Sequence, residues 1–194
     1  MRLNRSLSLI VLLTVLTLGT KAQNVAVKTN LLTDIAASPN LGIEIGLAPK
    51  WSLDVTGEIN DWDINRHKWK HWFVQPEARY WLCETFGGHF FGLHAIGGQY
   101  NFGNIHNNIH FLGSDFSKLT DHRYQGWAAG AGIAYGYDWI LSKHWNLEAE
   151  IGIGWMYTKF DVYSCMSCSK KLESGRHHNY FGPTKLAINL EYLF

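Results

Sequence analysis

Leu41-Gly42-Ile43-Glu44-Ile45-Gly46-Leu47-Ala48, Pro49-Lys50, Trp51-Ser52-Leu53-Asp54-Val55-Thr56-Gly57-Glu58-Ile59 is the stretch whose reading decides the fold. Leu41, Ile43, Ile45 and Leu47 alternate with Gly42, Glu44, Gly46 and Ala48. Past Pro49-Lys50, Trp51, Leu53, Val55 and Ile59 alternate with Ser52, Asp54, Thr56 and Glu58. A period of two belongs to a strand with unlike faces, and two such runs separated by two residues read as a tight hairpin.

The same alternation marks eight segments, at 24–33, 40–48, 51–60, 71–82, 89–100, 123–138, 144–159 and 183–194. Their connections alternate between short (49–50, 83–88, 139–143) and long (34–39, 61–70, 101–122, 160–182), so one rim carries turns and the other loops. Each segment reaches the roughly 10 residues that a tilted membrane strand needs. The expected fold is all-β: an eight-stranded antiparallel up-and-down transmembrane β-barrel with both mature termini on the turn side. The polar face mixes small residues with acids, as in Gly130, Gly132, Ala134, Gly136 and Asp138, which suits a narrow lumen. The apolar face carries Trp51, Tyr80, Phe91, Tyr135, Tyr137, Trp145 and Tyr192 toward the turn rim. Trp72, Trp127, Trp155 and Tyr157 lie toward the loop rim, so two aromatic girdles are expected. Pro76 and Gly97-Gly98 interrupt the pattern and are read as bulges.

With 46% hydrophobic and 17% charged residues among 194, the chain is neither disordered nor a polybasic nucleic-acid binder. Its mean hydropathy of -0.14 is too polar for a bundle of membrane helices. Met1-Arg2-Leu3-Asn4-Arg5, an apolar run from Leu7 to Leu18 and Gly19-Thr20-Lys21-Ala22 follow the pattern of a signal peptide. That reading assigns 1–22 to the signal and 23–194 to the barrel. Without Arg2, Arg5 and Lys21 the chain has 14 bases against 16 acids, which gives no electrostatic footprint for nucleic acid.

The inward face is expected to set Lys28 and Arg79 against Glu44, Asp54, Glu58, Glu77, Asp138, Glu148, Glu150 and Glu191. Such a set forms a salt-bridged filling or a hydrated lumen, because buried charges must pair or be neutralised. Cys165-Met166-Ser167-Cys168 followed by His177-His178 offers four soft ligands in one loop. A Cys165–Cys168 disulfide is the preferred reading in an oxidising compartment, with a zinc-type site as the alternative. Cys83 belongs to the opposite rim. His106, His110 and Asp121-His122 form a second polar cluster near Ser114, Asp115 and Ser117, but no spacing singles out a catalytic triad. The last segment ends in Leu186, Ile188, Leu190, Tyr192 and Phe194 on one face. Tyr192 and Phe194 read as a sorting signal for barrel assembly machinery.

Val25-Ala26-Val27-Lys28-Thr29-Asn30-Leu31-Leu32, Pro39-Asn40-Leu41-Gly42 and Trp72-Phe73-Val74-Gln75-Pro76-Glu77-Ala78-Arg79-Tyr80-Trp81 resemble an uncharacterised family of exported Bacteroidota proteins. That family is a domain of unknown function grouped with OmpA-like and OmpX-like outer-membrane barrels. Its frequent encoding near fimbrial genes implies a link to surface assembly or adhesion, and it supplies no catalytic residues. The expectation is a monomeric, non-enzymatic protein of the cell outer membrane, with extracellular loops and periplasmic termini. Outer-membrane lipid, assembly machinery and a surface or fimbrial protein are its expected partners, and no cofactor pattern stands out. The alternatives are a lipid-modifying acyltransferase or deacylase, and a narrow pore.

Overall fold

Around Pro49-Lys50 the alternation folds as a hairpin, with Ile43 opposite Val55 and Glu44 opposite Asp54. The structure, a computed structural model, describes residues 24–64, 67–103, 110–111, 114–115, 122–164 and 171–194. In chain order these form β1 (Val25–Asn30), α1 (Leu31–Ile35), β2 (Asn40–Ala48), β3 (Trp51–Ile64), β4 (His67–Trp81) and β5 (Gly88–Gly103). Then come β6 (His110–Phe111), β7 (Ser114–Asp115), β8 (Arg123–Ile140), β9 (Trp145–Tyr163) and β10 (Lys171–Leu193). Eight strands close into an antiparallel barrel in the order β1-β10-β9-β8-β5-β4-β3-β2, while β6 and β7 make a separate ribbon.

The faces are inverted relative to a water-soluble domain. Arg79, Glu44, Glu148 and Glu191 are 0% exposed, whereas Leu93, Ile133 and Leu186 are 61% exposed or more. A large apolar side chain is ordinarily the buried one and a charge the exposed one, so the polar face lines the interior.

The turn end of the lumen is closed by Ala26, Trp81, Phe86, Phe90 and Leu193. Trp81 packs on Phe90 and Phe86 with ring centroids 4.7 and 6.2 Å away. Phe86 sits in the β4–β5 turn at φ +64, a left-handed conformation costing a non-glycine residue roughly 1–2 kcal/mol. Burial of its ring and an Asn146 Nδ2 donation to its carbonyl at 2.9 Å offset that cost.

Four expectations about the elements need correction. First, the segment read as 24–33 stops being a strand at Asn30 and becomes α1. The Asn30 Oδ1 accepts from Leu32 N–H as helix cap at 3.1 Å and from Ile188 N–H on β10 at 3.2 Å, and its Nδ2 donates to Leu186 O at 3.2 Å. One amide thus caps the helix and replaces the strand where β1 leaves the ladder.

Second, the connections read as loops at 61–70 and 160–182 are largely paired strand: Asp61 faces Lys70, and Lys171 faces Tyr163. On β3, β4 and β9 Asp61, Asp63, Lys70 and Asp161 take the phase that is apolar lower down, while Trp62, Trp69 and Val162 take the other, so the apolar face breaks there and the hydropathy pattern reads as the end of a strand. His177 and His178 therefore stand on β10 rather than in a loop.

Third, neither Pro76 nor Gly97-Gly98 shifts the register; the pairing of β4 with β5 merely skips Gln75 and Pro76, where the proline supplies no N–H. Gly98 is required by close approach, because a Cβ there would meet the Trp72 carbonyl and Phe73. The register shift in this region falls on β10 between Pro183 and Lys185.

Fourth, β1 pairs β10 only through Asn189–Leu193, so β3, β4, β5, β8, β9 and β10 rise above a notch filled by α1.

Candidate functional site

The lumen holds the densest chemistry among the described residues. Alternation on β1, β2, β3, β4, β9 and β10 brings Lys28, Glu44, Asp54, Glu77, Arg79, Glu148, Glu150 and Glu191 to one level, as their residue types and spacing imply. Arg79 is the hub: Nε donates to Glu77 at 2.7 Å, Nη1 to Glu44 at 2.7 Å and Glu148 at 2.5 Å, and Nη2 to Glu150 at 2.8 Å. Its guanidinium also lies 4.4 Å from the Phe90 ring centroid, which ties the charged layer to the aromatic base.

Lys28 Nζ lies 2.5 Å from Glu44, 3.2 Å from Glu191, 3.5 Å from Glu148 and 3.6 Å from Asp54. The carboxylates of Glu44, Glu148 and Glu191 are close enough to hold a metal ion. The Lys28 ammonium occupies that position, so this acid cluster is already served by a cation of the chain.

A third lumen cation escaped the inventory of bases. Lys185 Nζ reaches Glu77 at 2.8 Å and Glu150 at 3.0 Å. Its alternation with Leu186 and Ile188 was the available signal. Polar residues complete the layer: Ser52 bonds Glu44, Asn189 donates to Glu148 at 2.6 Å, and Asn146 donates to Asp138 at 2.7 Å. Acids still outnumber bases here, a surplus that bound protons or water must meet. Glu58 stands apart, one level up and 3.6 Å from His71 Nε2.

Above the charged layer lies a cavity of about 150 Å³ lined by Thr56, Glu58, Gln75, Ile96, Thr184 and Lys185 among others. His94 connects this cavity to the network, with Nε2 2.9 Å from Thr184 Oγ1 and Nδ1 3.6 Å from Glu77. The line Thr184–His94–Glu77 has the residue types of a nucleophile, base and orienting acid. The last distance exceeds a hydrogen bond, and the Glu77 carboxylate is engaged by Arg79 and Lys185. Higher still, His71, Phe73, Tyr100 and Phe102 pack together inside the wall, with Tyr100 stacked on Phe102 at 5.3 Å.

Cys165, Cys168, His106, Ser117 and Asp121 lie outside the described residues. Of the proposed metal set, His177 and His178 are adjacent on β10 and leave opposite faces of the strand, with His177 stacked on Tyr157 at 6.2 Å. Tyr192 contacts His144, Trp145 and Phe194 at the turn rim, and Phe194 N–H donates to Val25 O at 3.0 Å. Cys83 is an exposed free thiol at that same end.

A family model described as protein of unknown function (DUF3575) matches residues 8–194. The chain belongs to this family. No curated protein matches it. The family description assigns no activity, so the functional reading has to come from the barrel itself. In this family member the lumen network joins six strands through Arg79, Lys28 and Lys185, with the aromatic base beneath it.

Proposed function

We propose that this protein is a non-enzymatic outer-membrane β-barrel, exported by residues 1–22, with its turns and mature termini in the periplasm and its loop rim outside the cell. One observation carries the reading: the outward positions change from apolar to polar at a sharp level. On β9 they run Trp145, Leu147, Ala149, Ile151, Ile153, Trp155, Tyr157 and then Lys159 and Asp161; on β4, Tyr80 through Val74 and Trp72, then Lys70. Trp145 and Trp155 are 43% and 49% exposed and bracket the apolar stretch. Ten residues at about 3.3 Å each and a tilt of about 40° span roughly 25 Å, the height of the apolar band in such barrels. A belt this continuous has no stable place in water.

The plugged lumen argues against the narrow-pore alternative, and the long Glu77 contact of His94 argues against an acyltransferase or deacylase. The role is therefore structural or one of surface interaction, with the raised loop rim meeting a surface or fimbrial protein. Tyr192 and Phe194 serve assembly, and the kinship with OmpA-like and OmpX-like barrels implied by resemblance agrees with this.

The experiment is refolding into phosphatidylcholine vesicles with lipids brominated at chosen depths. Trp145 and Trp155 fluorescence should be quenched most by shallow bromines, from opposite leaflets. A protein that stays soluble without detergent or lipid refutes the membrane reading. Cells carrying variants trimmed within 104–121 and 165–170 should retain the barrel yet lose adhesion; unchanged adhesion leaves the structural role alone.

A further inference from the structure

Where the outward face turns polar, the barrel wall carries a trough of about 570 Å³. Its lower border is the register row Ile59, Trp72, Gln99, Trp127 and Lys159, one residue from each of five neighbouring strands. One pleat higher, Asp61, Lys70, Asn101, Gln125 and Asp161 form the upper border. Five strands at about 4.8 Å spacing make it roughly 19 Å wide, enough for a disaccharide.

The two borders differ in what they ask of an occupant. Trp72 and Trp127, 45% and 43% exposed, offer apolar faces with an N–H edge, the side chains that settle at a lipid–water boundary. Asp61 is paired with Lys70 at 2.7 Å, and Asp161 with Lys171 at 2.7 Å, which neutralises both ends of the upper border. Between them, Asn101 Oδ1 is buried without a hydrogen-bond partner among the described residues. Gln125 and Lys159 likewise have no side-chain partner there. The trough therefore presents amides that can bond hydroxyls and one uncompensated ammonium, a combination complementary to a sugar that carries phosphate.

Granting the outer-membrane reading above, we infer that this trough seats the phosphorylated sugar headgroup of a glycolipid in the outer leaflet. The sugar lies against Trp72 and Trp127, its hydroxyls meet Asn101 and Gln125, and Lys159 binds the phosphate. The acyl chains run down the apolar belt below. The paired ends explain why a phosphate is accepted beside two aspartates: their charges are already answered by Lys70 and Lys171.

The test uses the full barrel inserted into phosphatidylcholine vesicles doped equally with bisphosphorylated lipid A, the same lipid without its phosphates, or phosphatidylglycerol. Bound lipid is then read by native mass spectrometry after release. Lipid A should be retained above both others. The double variant Lys159→Gln with Gln125→Leu should lower that retention about tenfold, the factor equivalent to about 1.4 kcal/mol. Lys143→Gln, on the opposite rim, should change nothing, and gel mobility of the folded form verifies each variant. Equal retention of phosphatidylglycerol or of the dephosphorylated lipid overturns the inference while leaving the membrane reading intact. Failure to insert into any vesicle overturns both.

Discussion

Arg79→Met removes the hub of the lumen, and its cost can be worked from the contacts. Arg79 is 0% exposed and donates to four carboxylates, those of Glu44, Glu77, Glu148 and Glu150. None is left wholly without a cation, because Lys28 stays near Glu44 and Glu148, and Lys185 near Glu77 and Glu150. Two ammonium groups must then answer what three cations shared, inside a lumen that water reaches poorly. Breaking a buried ion pair from one side typically costs about 3–5 kcal/mol, and methionine fills much of the volume without adding strain, so the loss should fall in that range. Arg79→Lys keeps the charge but not the fork, so it should cost about half as much. Adding Glu148→Gln to Arg79→Met should recover part of the loss, since it withdraws one of the acids that Arg79 served. Urea titration of the barrel refolded in vesicles, followed by gel mobility and tryptophan emission, measures all three. A loss below about 1 kcal/mol for the methionine variant, or a lysine variant no better than it, would show that the network does not hold the strands together.

Ile151→Arg, near the middle of the apolar belt, should cost about 2–4 kcal/mol in the same titration, whereas Ile151→Leu should cost less than about 1.5 kcal/mol; equal effects would mean that this face does not meet lipid. One residue along, Gly152→Ala should cost about 1–3 kcal/mol by overpacking. A Cβ at Gly152 comes 2.9 Å from His94 Cε1 and 3.0 Å from Lys185 Cβ, so a neutral result would contradict the inward placement of that position. Asn30→Ala removes the α1 cap together with the bonds to Leu186 and Ile188, and should cost about 1–2 kcal/mol, with faster amide exchange at Ile188 as the local sign. At the loop rim the Asp161 carboxyl is held down at about 2 by the hydrogen bond from Lys171, then by Gly175 N–H. A depressed carboxyl contributes fully above its unfolded value of about 3.9 and loses that contribution as pH falls toward the folded one. Amide protection around Gly175, corrected for intrinsic exchange, should therefore be steady above about pH 4 and decline toward pH 2, and Asp161→Asn should abolish the pH dependence.

Much of the architecture is legible because an up-and-down barrel is assembled from local rules. Alternation is a property of neighbouring residues, so Leu41 to Ile59 reveals its strands, its turn and its two faces without reference to anything distant. The same rule exposes Lys28, Glu44, Arg79 and Glu148 as inward charges, and a meander of hairpins settles which strands are neighbours. Legibility fails where the alternation changes phase. At Asp61, Lys70 and Asp161 the face that is apolar lower down turns polar while Trp62, Trp69 and Val162 fill the other, so these rims look like loops until a partner strand supplies the ladder. Five residues of α1 are too few to establish a helical period.

What the sequence by itself determined is the identity of the strands, the sidedness of each and the chemistry of the lumen, since each depends on residues one or two places apart. Only the tertiary structure decided how deep each pairing runs, that Pro76 leaves the register unshifted while Pro183 marks a shift, and that Phe86 turns through a positive φ to seal the base. It alone set Lys185 against Glu77, 108 positions apart, and aligned Gln99, Asn101, Gln125 and Lys159 along one trough. Those arrangements depend on register and closure around the ring, and closure couples residues through neighbouring strands rather than through the chain.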